Sequence, residues 1–203
     1  ILVLAFLLGV ISVDMLAQQS VSEKKIGLPP NTVEGVLPNG LHYLILPNGT
    51  PAHTTEFRLV MRLGSAQETD KQKGAAHFLE HMSFVGSKHF PGRGMVDYLD
   101  KTDSAVSDKV LLILKDWLDG LSFEEERTKK ERGVILEELR GYDIGDDFYS
   151  LKIGQNRFTD RMPLGSSEDI RSIDRKTLIE FYQQWYSPQM ATVVVVGDVD
   201  PVS

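Results

Sequence analysis

The apolar positions of this chain change period several times, and each change predicts an element. In "TTEFRLVMRLGS", Phe57, Leu59, Met61 and Leu63 fall at period two while Arg58 and Arg62 point to the other face. This alternation predicts a half-buried strand, ending at Gly64. Upstream, "NTVEGVLPNGLHYLILPNG" holds two short β-rich runs around Asn39-Gly40. That pair favours the positive φ angles of a tight turn, so the segment predicts a β-hairpin. In "DKVLLILKDWLDGLSF" the apolar residues Val110, Leu111, Leu114, Trp117, Leu118 and Leu121 show three-and-four spacing, which predicts a helix with one buried face and places Trp117 in the core.

"SFEEERTKKERGVILEELRG" predicts a second long helix, opened by acidic residues where the helix dipole favours them and stopped at Gly141. "DRKTLIEFYQQWYSP" predicts another, with Leu178, Phe181, Tyr182 and Trp185 inward and Pro188 closing it. "MVDYLDK" predicts a short helix with Met95, Tyr98 and Leu99 on one side. The β-branched run of "MATVVVVGDVD" predicts a strand buried on both faces. "DRMPLGSSEDI" has the composition of a surface loop. Strands and helices mixed in this order imply a two-layer α/β domain.

The first stretch departs from this alternation. "ILVLAFLLGVISVDMLAQQS" is apolar and then turns polar after Ala17, as a secretory signal peptide does. It is short for a bilayer span, which needs about 20 residues, and Asp14 interrupts it. Residues 1–20 therefore read as a signal peptide, truncated because the chain opens at Ile1, and 21–32 as a polar linker. The expectation is an exported protein, periplasmic or extracellular, with no membrane span in its mature form.

Composition narrows the chemistry. Hydrophobic residues make up 41% and charged residues 25% of 203, a balance that predicts one packed main domain. A net charge of −7 with no basic cluster excludes nucleic acid as the expected partner. With no cysteine, disulfides and thiolate metal sites are excluded, and any metal must sit on His and carboxylate.

"GAAHFLEHMSFVG" sets His77 and His81 four residues apart with Glu80 beside the second. On a helix those imidazoles lie one turn apart on the same face and can converge on one ion. A catalytic zinc takes three protein ligands and leaves a position for water, so a third donor must come from elsewhere. His42, His53 and His89 show no partner pattern. On the acidic helix, a rotation of about 100° per residue puts Val134, Ile135, Leu136 and Leu139 on one face. Glu131 and Glu138 then fall near its margin and Glu137 on the far side, which makes Glu138 the third ligand. Glu80, about a third of a turn from the ligands, is placed to act as general base on a water. The five-residue pattern also fits an ordinary amphipathic helix with structural or solvated histidines. The order His-x-x-Glu-His is, however, the inverted zincin signature.

The chain resembles the pitrilysin/insulinase family of zinc metallopeptidases. The resemblance rests on "LPNGLHYLILPN", "RLGSAQETDKQKGAAHFLEHMSFVGSKHFPG", "ERGVILEELRGY" and "FYQQWYSPQMATVVVVGDVDP". It implies a Zn2+ held by His77, His81 and Glu138, Glu80 as the base, and Glu131 as a supporting acidic residue. It implies an α+β fold in which a mixed, largely antiparallel sheet packs against helices, the half-domain of a pitrilysin-type metallopeptidase. Residues 33–203 would form that domain, incomplete at its C-terminal end. A peptide or unfolded protein is the implied substrate, and a second homologous half or partner subunit the implied complement. The 57 positions from His81 to Glu138 are fewer than the resemblance implies, and a further segment rich in Asn, Thr and Tyr is expected near "DKTDSAVSD". A non-catalytic scaffold of the same fold is the alternative reading.

Overall fold

The computed structural model describes residues 27–99, 107–141 and 154–201. The expected signal peptide falls outside these residues, as does most of "DKTDSAVSD". From Asn31 onward the elements make one unit.

Four strands form one sheet: β1 (Val33–Val36), β2 (His42–Pro47), β3 (Thr55–Met61) and β4 (Ala191–Gly197). The order across it is β1-β2-β4-β3. β1 and β2 form the expected antiparallel hairpin, with Gly40 at φ 87° in its turn. β4 enters between β2 and β3, parallel to the first and antiparallel to the second. The sheet is therefore mixed and largely antiparallel.

Among the described residues seven α-helices accompany it: α1 (Ala75–Met82), α2 (Gly94–Leu99), α3 (Ser107–Asp119), α4 (Glu125–Gly141), α5 (Arg157–Asp160), α6 (Ser167–Ser172) and α7 (Arg175–Trp185). α1 packs against both α4 and α7. Phe78, Leu79 and Met82 of α1 meet Ile135, Ile170, Leu178 and Phe181 in one core cluster. A second cluster joins Leu114 of α3 to Val193 and Val195 of β4. Trp117 packs against both clusters, and its indole Nε1 donates to the Ser83 carbonyl at 3.0 Å. Burying a residue such as Phe78 contributes about 3 kcal/mol, so this core holds α1 firmly.

Several expectations require correction. β3 ends at Met61, three residues before Gly64. β4 alternates between buried and half-buried positions and is not buried on both faces. Ala191, Val193 and Val195 are among its buried positions, and Val193 and Val195 pack against Leu114 of α3. Leu99, Leu111 and Val134 are exposed, because each lies just outside the contact stripe of its helix. "DRMPLGSSEDI" is not all loop. Ser166 caps α6 by accepting from the Asp169 amide, and Ile170 is fully buried.

Candidate metal centre

The approach to α1 is set by a carboxylate from outside the helix. Glu68 is buried, and its two oxygens accept from the amides of Gly74 at 2.9 Å and Ala76 at 2.8 Å. Helix N-termini expose unpaired amides, and here a side chain six residues upstream satisfies two of them. Burial pushes the Glu68 carboxyl above its usual range, against the lowering effect of those hydrogen bonds. Gly74 has φ 86°, and a Cβ there would lie 2.5 Å from Ile170 Cδ1, so only glycine fits.

Once started, α1 places His77 and His81 on one face, with ring centroids 4.8 Å apart and planes at 84°. α4 crosses beneath them and brings two carboxylates. Glu138 Oε2 lies 3.0 Å from His81 Nε2 and 3.6 Å from His77 Nε2. Glu131 Oε1 lies 2.8 Å from the opposite nitrogen, His81 Nδ1. One donor atom from each of His77, His81 and Glu138 falls within 4.8 Å of the others.

These donors fit a divalent cation. An ionised Glu131 can only accept, so it fixes the proton on His81 Nδ1 and turns the Nε2 lone pair toward Glu138. A lone pair facing a carboxylate oxygen at 3.0 Å is repulsive unless a proton or cation lies between them. A proton would satisfy one such pair, whereas a cation satisfies all three donors. Burial holds the His77 imidazole below its usual pKa, reinforced by the neighbouring His81 and opposed by Glu138 and Glu80. His77 is thereby kept neutral, the form that ligates metals. Among the described residues its buried Nδ1 has no hydrogen-bond partner.

Glu80 points away from the core, with its side chain 63% exposed and Oε2 4.0 Å from His81 Nε2. Glu137 lies on the solvent side of α4 and pairs with Arg140. The five residues expected from the sequence thus come together, and Glu137 does not. One detail differs. Thr128 and Ile135 of α4 are buried, and Glu131 and Glu138 lie partly exposed alongside them, while Val134 of the expected face is exposed.

The region around "DKQKGAAHFLEHMSF" matches the profile of the insulinase family, Peptidase family M16, over residues 43–108, and residues 172–203 match that of the Peptidase M16 inactive domain. The probable zinc protease PqqL of Haemophilus influenzae is 32% identical over 202 residues, a match covering 84% of this chain and 22% of that protein. The chain belongs to the M16 peptidase family. A further M16 relative, the chloroplastic stromal processing peptidase of Oryza sativa subsp. japonica, is 32% identical across 85% of this chain and 16% of its own length. The crystal structure of the periplasmic protease PqqL from Escherichia coli superimposes with a TM-score of 0.79 at 28% identity, covering 87% of this chain and 23% of that one. The M16 chain described here spans about a fifth of the length of the curated relatives it matches.

Two features of the structure escaped the sequence. His89 is not partnerless: its Nδ1 lies 2.7 Å from Asp116 Oδ1, and its amide and the Ser87 hydroxyl donate to Asp116 Oδ2. Glu68 also went unnoticed as the cap of α1. Neither has a local signature, because each partner is contributed by a different segment.

Proposed function

We propose that this chain is the metal-holding part of a zinc-dependent metalloendopeptidase. The observation that carries the reading is the convergence of His77, His81 and Glu138, with Glu131 behind His81 and Glu80 beside it. In this reading those three residues hold Zn2+. When bound, zinc lowers the pKa of its water toward 7 and polarises a carbonyl. Glu80, exposed at the edge of the site, takes the proton of the attacking water and returns it to the leaving amine. Glu131 holds His81 in the ligating tautomer.

The proposed substrate is a peptide or unfolded protein, supported by the relatives named as zinc protease and processing peptidase. The proposed location is the periplasm, supported by the apolar first stretch and by the description of PqqL from Escherichia coli as periplasmic. No helix among the described residues is long and apolar enough to cross a membrane. A second homologous half or a partner subunit completes the cleft in this proposal. Its support is that the chain covers 45% of a solved structure described as the first half of PqqL.

Replacing Glu80 with Gln is expected to abolish peptide hydrolysis while zinc stays bound at one equivalent. Retained hydrolysis would remove Glu80 from its role. The second reading is a non-catalytic scaffold of the same fold. A folded chain that binds no zinc would establish it.

A further inference from the structure

A pocket of about 390 Å³ opens beside Glu80 and His81. Phe84, Val85 and Val96 line it with apolar surface, and Arg93, Arg127 and Lys130 line it with positive charge. Three cations around one small space are unexpected in a chain of net charge −7.

Arg127 is held in place from three directions. Its Nε donates to Glu124 Oε2 at 2.7 Å, and its Nη1 lies 3.5 Å from the Val85 carbonyl. Its guanidinium also rests against Gly92, where a Cβ would lie 3.1 Å from Nη2 and where φ is 64°. The glycine thus lets the loop after α1 close onto the guanidinium, leaving part of its donor fork facing the pocket. Lys130 makes no ion pair among the described residues. Among the described residues Arg93 has a loose exposed ion pair, 3.8 Å from Asp97, and such pairs contribute little. Of the two carboxylates that line the pocket, Glu131 is engaged by His81 at 2.8 Å, which leaves Glu80 as the one facing an incoming group.

We propose that this pocket receives an acidic side chain, Asp or Glu, of a bound peptide, and so selects peptides with a carboxylate near the bond presented to Glu80. The apolar lining suits the methylenes of such a side chain, and the cations suit its carboxylate. The inference rests on the peptidase reading for the identity of the ligand as a peptide. The pocket itself needs no metal. The overall negative charge of the chain repels acidic peptides, so a preference for them has to arise locally.

The test uses the full chain in EDTA, where binding is read at equilibrium without hydrolysis. The probes are dye-labelled Ala/Gly peptides with one central Glu, Gln or Lys, followed by fluorescence anisotropy. The Glu peptide is expected to bind about tenfold tighter than the Gln peptide, and the Lys peptide more weakly still. The preference should shrink at high salt. Arg127→Gln and Lys130→Gln should each reduce it to about threefold or less, while Lys176→Gln, on α7, should leave it unchanged. Lys130 is exposed, so Lys130→Gln keeps the test readable if Arg127→Gln does not fold. Equal binding of the three peptides, no binding of any, or an unchanged preference in Lys130→Gln overturns the proposal. Charge-selective binding in a folded chain that takes up no zinc when the metal is restored would leave the pocket standing and sink the peptidase reading.

Discussion

His81 turns its Nδ1 to Glu131 at 2.8 Å, and this one contact decides which of its nitrogens faces His77 and Glu138. The ring is pinned from behind, so its lone pair is aimed before any ion arrives. Such supporting carboxylates are worth 10- to 100-fold in metal affinity. Glu131→Ala is therefore expected to weaken zinc binding by about that factor while leaving the far-ultraviolet circular dichroism unchanged. Competition against a chromophoric chelator measures it, and wild-type affinity in the variant would show that Glu131 does not position His81.

Adjacent residues on α4 should behave in opposite ways. Glu138→Ala removes a donor from the cluster, and stoichiometric zinc binding should be lost. Glu137 is 66% exposed and pairs with Arg140. Glu137→Ala is expected to bind zinc as the wild type does and to change stability by no more than about 0.5 kcal/mol. Metal analysis after gel filtration separates the two variants.

Glu68 ties the start of α1 to the preceding loop through two amides. Its replacement by Ala leaves buried donors without partners, which costs about 1–3 kcal/mol each. Urea denaturation of Glu68→Ala should show a loss of about 2–6 kcal/mol for the two amides. A smaller loss is expected for Glu68→Gln, which keeps one acceptor.

Asp116 gives a pH-dependent prediction. Burial pushes its carboxyl up, but the hydrogen bonds from the Ser87 hydroxyl and from His89 outweigh this and hold it below the usual carboxylate range. A carboxyl with a lowered folded pKa contributes stability above its unfolded value of about 3.9 and loses it as pH falls through the folded value. Asp116→Asn should thus be less stable than wild type by about 1–3 kcal/mol at neutral pH. The gap should close in acid below about pH 4. Thermal unfolding of both proteins across pH 2.5–7 checks the sign, and a gap that widens in acid would refute it.

Much of the fold could be read along the chain. The hairpin at Asn39-Gly40, the alternation through Phe57 and Leu59, and the inward face of α7 all depend on backbone geometry that repeats within a few residues. Reading failed where burial was decided by neighbours. Val134 and Leu111 fit a helical period but stay exposed among the described residues, because the helices touch along narrower stripes than the apolar residues cover. "DRMPLGSSEDI" looked like loop because six residues of helix with a single buried Ile170 carry too little pattern to register.

The site divides along the same line. The four-residue spacing of His77 and His81 is a property of one helix, and the sequence by itself determined that they share a face. The rotation of about 100° per residue along α4 likewise set Glu138 apart from Glu137 as the third donor. Only the tertiary structure decided that Glu138 reaches both imidazoles, that Glu131 reaches the back of His81, and that His89 closes on Asp116. It also decided that Arg93, Arg127 and Lys130 surround one pocket. Those relationships span 27 to 61 positions of chain or join separate helices. They depend on how α1, α3 and α4 rotate and cross as their apolar stripes pack, which no local period encodes.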